Sequence, residues 1–160
     1  MNAGKLTGVS RSGRPNPAFD RVVPMDRLEE ILPETHVLIM SLPGTPETRH
    51  VLNRNRISLL PPDAFVINVG RGTAVDQKAL AEALNGGKLA GAALDVTDPE
   101  PLPQDHPLWT AKNLLLTPHI SGNLTLGYTR DLNVEMFCQD LENYAAGRPL
   151  QGLVDRKRGY

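Results

Sequence analysis

Three segments of the chain carry a cation, a carboxylate and an imidazole, and each comes directly after a short apolar run: Gly70–Gly72, Asp95–Glu100 and Pro118–His119. An arginine such as Arg71 can clamp a carboxylate through two parallel hydrogen bonds. A histidine such as His119 exchanges a proton near neutral pH, and a carboxylate such as Glu100 fixes its tautomer. These residue types indicate acid–base chemistry on a small molecule.

The preceding runs must be neighbouring parallel strands for these residues to meet. Ligands of an open parallel sheet bind beyond the carboxyl ends of the strands, and strands lie about 4.8 Å apart, so the three side chains would converge within roughly 10 Å. Taken singly, each residue has a plainer interpretation. Arg71 could be solvated on a tight turn, Glu100 could be an exposed acid, and His119 could cap a loop. Their joint placement favours a site.

The apolar runs are short, rich in Val, Ile and Leu, and bounded by Gly, Pro or polar residues, as buried strands are; they are Lys5–Ser10, His36–Ser41, Phe65–Val69, Leu89–Asp95 and Leu114–Thr117. They are apolar throughout, which favours a sheet covered on both faces. Helical patterns lie between and after them at Met25–Leu32, Asp76–Asn85 and Asn123–Ala146. This alternation predicts an α/β fold with a doubly wound parallel sheet. Arg11–Asp20 and the proline-rich segment Thr97–Leu108 are predicted to be irregular.

Length and composition exclude several classes of protein. The 160 residues make one ordinary domain, and their net charge of −1 gives no reason to expect a nucleic-acid partner. The three basic residues Arg156–Arg158 are too few for such an interface. No run approaches the roughly 20 apolar residues of a membrane span, and no secretory signal is visible. A single cysteine, Cys138, excludes an internal disulfide and a cysteine-based metal cluster, and it fits the cytoplasm.

The chain resembles the D-isomer-specific 2-hydroxyacid dehydrogenases over nearly its whole length. Five long segments carry the resemblance: SLPGTPETRHVLN (41–53), INVGRGTAVDQKALAEAL (67–84), GAALDVTDPEPLP (91–103), HPLW (106–109) and LLTPHISG (115–122). The ending VDRKRGY is similar to the glyoxylate/hydroxypyruvate reductase branch. The resemblance implies a Rossmann-like nucleotide-binding domain and reduction of a small 2-oxo acid by NAD(P)H.

The family's catalytic Arg, Glu and His match Arg71, Glu100 and His119, the three residues already reached from their spacing. The resemblance implies that His119 gives a proton to the developing alkoxide while Glu100 bonds the other ring nitrogen. Arg71 would bind the carboxylate and keto oxygen. Asp95 matches the aspartate that holds the nicotinamide carboxamide.

The cofactor residues expected from the resemblance come from five loops: Ser10, Arg11, Ser12, Leu42, Pro43, Thr48, Val69, Gly70, Asp95, Ser121 and Gly122. An acid at the end of the second Rossmann strand binds a ribose 2′-hydroxyl, whereas a basic residue accommodates a 2′-phosphate. The segment Ser10–Arg14 has no acid, and none follows until Asp20. The sequence therefore favours NADP(H) over NAD(H), although Arg11 could also lie on a solvated basic turn.

The chain also departs from the family's pattern. Such dehydrogenases are about twice as long, and the glycine-rich turn that seats the pyrophosphate precedes the strand placed at Lys5–Ser10. The sequence is therefore interpreted as the carboxyl-terminal half of such a dehydrogenase. Residues 1–147 would form a partial nucleotide-binding domain, truncated at its N-terminal side, and residues 148–160 a tail that returns to the substrate domain.

Two expectations follow for a chain of these 160 residues. It should show little or no turnover alone, and it should self-associate, as a dimer, or be disordered around Lys5–Asp20, because apolar sheet edge would be open. The alternative function is a non-catalytic module, dimerising or sensing nucleotides, that derives from such a dehydrogenase. No metal site is expected.

Overall fold

The computed structural model describes residues 4–122 and 126–157. Within these residues there are six strands: β1 (Thr7–Ser10), β2 (Arg21–Pro24), β3 (Val37–Met40), β4 (Phe65–Asn68), β5 (Gly91–Leu94) and β6 (Leu114–Leu116). The same residues form four α-helices: α1 (Leu28–Ile31), α2 (Arg54–Leu59), α3 (Gln77–Asn85) and α4 (Gly127–Ala145). Strand β2 and helix α2 have no counterpart in the sequence-based prediction. No described helix has the length and apolarity needed to span a membrane.

The strands form two parallel sheets. Strands β3, β4, β5 and β6 pair in that order, with Ile39 opposite Ile67, Ile67 opposite Ala93, and Ala93 opposite Leu115. The α/β fold with a parallel sheet is thus confirmed. Strand β1 pairs with β2 in a separate two-stranded sheet, which corrects the expectation that its run joins the others in one ladder.

Helices α2 and α3 share a hydrophobic core with one face of the four-stranded sheet. Val66 and Leu94 from the sheet and Leu80 and Leu84 from α3 are almost completely buried in this core. Helix α3 begins as predicted, because the carboxylate of Asp76 accepts a hydrogen bond from the Ala79 backbone 3.0 Å away and caps the helix. This core supports the strands whose carboxyl ends carry the predicted site.

The other face of the four-stranded sheet is exposed, contrary to the expectation that both faces are covered. Side chains alternate along a strand, so one face collects the outward residues of neighbouring strands. Val37, Ile39, Phe65 and Leu115 on this face are 51%, 60%, 46% and 62% exposed. We call these four residues the open sheet face. Each uninterrupted apolar run places side chains on both faces of the sheet. Within the described residues, only one of these faces is packed against other elements.

The helices differ from the predicted ranges at their ends. The pattern at Met25–Leu32 becomes α1 with a 3₁₀ turn on either side, and Pro33 lies in the second of them. Helix α2 begins after Asn53, whose side chain accepts a hydrogen bond from the Arg56 backbone. Helix α4 begins at Gly127, and residues 123–125 of the predicted helix lie outside the described residues.

Two glycines bring the loops after β3, β4 and β5 into backbone contact. A β-carbon at Gly70 would lie 2.7 Å from the backbone nitrogen and oxygen of Leu42. One at Gly72 would lie 2.0 Å from the carbonyl carbon of Thr97. Real side chains cannot occupy such distances, so only glycine permits this approach. Arg71 is therefore held between the loop that follows β3 and the loop that follows β5.

We expect Gly72→Ala to lower the free energy of unfolding by about 1–3 kcal/mol or more, because the added methyl group must displace the Thr97 backbone. Urea denaturation followed by circular dichroism measures this loss. Gly127→Ala is the matched control, since a β-carbon at Gly127 meets no atom within 4 Å. If both variants are as stable as the wild type, the backbone contact between Gly72 and Thr97 is refuted.

Candidate active site

The buried carboxylate of Asp95 organises the carboxyl ends of β5 and β6. It accepts hydrogen bonds from the Thr117 hydroxyl at 2.5 Å and from the backbone amides of Ile120 and Ser121 at 2.9 and 2.8 Å. Burial by itself raises the pKa of Asp95, but the hydrogen bonds from Ser121, Thr117 and Ile120 outweigh it and hold the pKa well below its ordinary value. Asp95 is therefore a fixed negative charge beneath the loop that carries His119.

Glu100 and His119 form a hydrogen-bonded pair at this edge. Glu100 Oε2 lies 2.8 Å from His119 Nδ1, and Glu100 Oε1 accepts a hydrogen bond from the Thr97 backbone at 2.9 Å. The bond to His119 is the largest cause that lowers the pKa of Glu100; desolvation opposes it, and the Thr97 amide and the charges of His119 and Arg71 add to it. Glu100 is thus an ionised acceptor at neutral pH. Nδ1 carries the proton between them, which leaves Nε2 free for a ligand.

The backbone of His119 is held in the left-handed region, with φ of 55°. Its amide donates to the carbonyl oxygens of Asp95 and Thr117 at 2.9 and 3.0 Å. A non-glycine residue keeps this conformation only where its surroundings fix it, and such residues cluster at functional sites. The turn places the imidazole ring of His119 within hydrogen-bonding distance of Glu100, which lies in the loop after β5.

Arg71 lies beside the pair without bonding to it. Its Nη1 donates to the Gly70 carbonyl at 2.8 Å, and its charge contributes to lowering the pKa of Glu100. The buried Asn68 side chain braces the loop, since Nδ2 donates to the Arg71 carbonyl at 2.9 Å and Oδ1 accepts from the Gly70 amide at 3.0 Å. Sequence reasoning missed Asn68; a polar residue ending an apolar strand was the available signal.

A cavity of about 470 Å³ opens beside the pair, within the size range of small-molecule sites. Asp95, Glu100 and His119 line its polar side, whereas Arg71 is not among its lining residues. Its apolar side includes three large residues that sequence reasoning had not assigned to a site: Leu102, Trp109 and Leu116. Within residues 4–122 and 126–157, no group of His, Cys, Asp or Glu is arranged to hold a metal ion.

The residues predicted at the end of β1 form a tight exposed turn. The Ser10 hydroxyl accepts a hydrogen bond from the Gly13 amide at 3.1 Å, and Gly13 has a φ of 64°. Arg11 and Ser12 lie within this turn and are exposed. The pKa of Glu47 is lowered mainly by hydrogen bonds from its own backbone amide and from the Thr45 side chain. The positive charge of Arg11 lowers it further.

The remaining predicted cofactor residues lie along the same carboxyl edge. Thr48 donates to the Pro43 carbonyl at 2.6 Å and closes a turn after β3. Val69 donates its amide to Met40, next to the contact between Gly70 and Leu42. Ser121 is bonded to Asp95, and Gly122 is exposed with open space around it. These loops follow β3, β4 and β6, parallel strands whose carboxyl ends lie at the same edge of the sheet.

Comparisons with known proteins agree with this geometry. Residues 2–121 match the family model described as D-isomer specific 2-hydroxyacid dehydrogenase, NAD binding domain. The chain is 38% identical over 152 residues to glyoxylate/hydroxypyruvate reductase A of Klebsiella pneumoniae, covering 94% of this chain and 47% of that protein. It thus spans about half the length of the curated relatives it matches.

Two crystal structures are similar as well. A D-isomer specific 2-hydroxyacid dehydrogenase family protein from Aeromonas salmonicida superposes with a TM-score of 0.80 at 40% identity, covering 94% of this chain and 47% of that one. An NADPH-dependent glyoxylate/hydroxypyruvate reductase from Sinorhizobium meliloti, in complex with NADP and sulfate, gives 0.82 at 29% identity, covering 98% and 49%. With the family model matching three quarters of its length, this chain belongs to the D-isomer specific 2-hydroxyacid dehydrogenase family, within its NAD-binding domain.

Proposed function

We propose that this chain forms the nucleotide-binding part of an NAD(P)H-dependent oxidoreductase that reduces small 2-oxo acids such as glyoxylate or hydroxypyruvate. The observation that carries the proposal is the Glu100–His119 pair, 2.8 Å apart beside a cavity of small-molecule size. The names of the Klebsiella and Sinorhizobium relatives support this substrate class. A small acid also suits a site where the charge of Arg71 acts on the Glu100–His119 pair.

The proposed mechanism assigns one task to each polar side chain. Arg71 binds the substrate carboxylate and stabilises the negative charge that grows on the keto oxygen. His119, in its doubly protonated form, donates the proton on Nε2 to that oxygen, while Glu100 accepts the hydrogen bond from Nδ1 and keeps the ring oriented. When bound, the nicotinamide cofactor supplies the hydride that reduces the keto carbon. Asp95, which lines the cavity, is proposed to face the carboxamide of the cofactor.

We expect His119→Ala to lower kcat by about 10²–10⁴-fold and to leave NADPH affinity unchanged, because the general acid is lost while the nucleotide contacts remain. Since the chain spans half its relatives, turnover is measured in a chimera in which it replaces the matching segment of the Klebsiella reductase. NADPH binding is measured by fluorescence titration of the same chimera.

His36→Ala is the matched control for this measurement. His36 also lies near a carboxylate, with Nε2 3.6 Å from Asp63, but it comes before β3 at the opposite edge of the sheet. Its loss should leave kcat unchanged. Equal losses of turnover and NADPH binding in His119→Ala would instead give His119 a structural role.

The finer proposal for the cofactor is NADP(H). The exposed turn after β1 offers Arg11, Arg14 and the Ser12 hydroxyl, and its residues 10–14 include no carboxylate. Guanidinium and hydroxyl donors fit a 2′-phosphate, which has no hydrogen to give to them. The complexes of the Sinorhizobium and Xanthobacter autotrophicus relatives with NADP and NADPH support this choice.

We expect NADPH to bind the chimera more tightly than NADH, and Arg11→Ala to weaken NADPH binding about 10-fold, equivalent to about 1.4 kcal/mol, with little change for NADH. Dissociation constants from fluorescence titration provide the test. The control is Arg54→Ala, which removes an exposed arginine that pairs with Glu82. It should change neither the NADPH nor the NADH dissociation constant. Tighter binding of NADH by the wild type would contradict the assignment.

We also propose that the 160-residue chain self-associates as a dimer through the open sheet face. Exposed apolar patches of this kind in parallel sheets are covered in native assemblies.

The lone exposed thiol of Cys138 supports the cytoplasm as the compartment of this protein.

Light scattering after size exclusion should therefore give a mass above 17.5 kDa for the chain. Leu115→Lys should return it to the monomer, since a charge on the covered face must be desolvated. Leu153→Lys, at a more exposed position in the tail, should leave the mass unchanged. A monomeric wild type would rule out the proposed contact.

A further inference from the structure

The side-chain amide of Gln77 holds the loop that carries Glu100. Gln77 is the first residue of α3 and is buried. Its Nε2 donates to the carbonyl oxygen of Asp98 at 2.6 Å, and its Oε1 accepts from the amide of the same residue at 3.3 Å. A side-chain amide that bonds both backbone groups of one residue fixes its position and its orientation together. Asp98 lies two residues before Glu100.

The other contacts of this loop do not replace that anchor. The Thr97 hydroxyl bonds the Pro99 carbonyl, which is a contact within the loop itself. The ion pair between Arg49 and Asp98, at 3.3 Å, is largely exposed, and exposed pairs contribute little. The loop's prolines have no N–H, so these positions cannot donate to a neighbouring strand. The Gly72 backbone limits the loop from one side but makes no directional bond to it.

The position of the Asp98 backbone determines where Glu100 lies relative to His119. The amide of Thr97, adjacent to Asp98, donates to Glu100 Oε1 at 2.9 Å, and Glu100 Oε2 lies 2.8 Å from His119 Nδ1. Both distances require the backbone at Thr97 and Asp98 to stay in place. A misplacement of about 1 Å in such an arrangement is enough to cost a large part of catalysis.

We propose that Gln77 is a positioning residue for the Glu100–His119 pair and acts through the backbone of Asp98. The inference rests on the proposed function, because it concerns the same site. A neutral amide suits this task, since it donates and accepts at once. A carboxylate could only accept from the Asp98 amide, and an ammonium could only donate to its carbonyl.

The charge environment makes the proposal measurable. The charged groups near Glu100 are His119, Arg71 from the loop after β4, the Asp95 carboxylate in the cavity wall, and the Arg49–Asp98 pair. Gln77→Met removes both hydrogen bonds and changes none of these charges. A change in the titration of Glu100 in this variant therefore reports a change in geometry.

The experiment follows the carboxyl carbons of the chain by ¹³C NMR across acidic pH, with the glutamate side chains labelled and Glu100 assigned by Glu100→Gln. In the wild type the Glu100 midpoint should lie below the ordinary pKa of a glutamate, because His119 and the Thr97 amide stabilise its ionised form. In Gln77→Met it should move up towards that ordinary value. Lys78→Met, the same replacement at the next, exposed residue of α3, should leave it unchanged.

An unshifted Glu100 midpoint in folded Gln77→Met would overturn the proposal. If that variant does not fold, Gln77→Asn is titrated instead; its shorter amide cannot reach both backbone groups of Asp98, and the same two results decide. In the chimera, Gln77→Met should lower kcat about 10-fold with an unchanged KM for NADPH. The titration needs no turnover, so an inactive chimera would count against the proposed function and not against the role of Gln77.

Discussion

The carboxylate of Asp95 fixes the turn that follows β6 against the end of β5. Strands β5 and β6 pair up to Leu94 and Leu116, and just beyond them the amides of Thr117 and His119 still donate to the carbonyls of Leu94 and Asp95. Hydrogen bonds from Thr117, Ile120 and Ser121 to the Asp95 carboxylate hold the rest of the turn, in which His119 has a left-handed backbone. Because the carboxylate is buried and ionised, loss of any one donor would leave a poorly solvated charge. The geometry around His119 depends on this charge.

The other side of the site is built by backbone contact. Gly70 and Gly72 let the loop after β4 touch its neighbours on both sides, and Asn68 pins the loop from below through its amide. Gln77 performs the corresponding task for the loop after β5. Two buried amide side chains therefore satisfy the backbone groups of two irregular loops, which have no strand to pair with. Rigid loops of this kind hold side chains such as Glu100 in one orientation.

The turn proposed to bind the cofactor phosphate belongs to the other sheet. No described ladder joins β1 to β3, so hydrogen bonds do not fix the distance between Arg11 and the Glu100–His119 pair. Packing does so instead, because Val23 of β2 and Leu32 lie in the same core as the four-stranded sheet. The two parts of the proposed site thus differ in how they are held. The Glu100–His119 pair rests on directional bonds, and the turn after β1 rests on apolar contacts.

The sequence by itself determined the parallel α/β class and the start of α3. Short apolar runs that end in polar segments are read from residue order, because strand ends and helix caps are local features. The same holds for the meeting of Glu100 and His119, since neighbouring parallel strands bring their carboxyl ends to one edge. Long motifs shared with the dehydrogenase family added the expected roles.

Only the tertiary structure decided the rest. Strand β2 is four residues long and α2 is six, too short for periodicity to distinguish them from loop. The runs of β3 and β4 look fully buried, yet Ile39 and Phe65 are exposed, because burial depends on what lies across the sheet and not on the strand's own residues. The amide of Gln77 acts on the backbone of Asp98, 21 residues further along the chain, and the amide of Asn68 acts on the loop just beyond its own strand. Their partners are chosen by how the loops pack, and no spacing rule along one strand or helix encodes that choice.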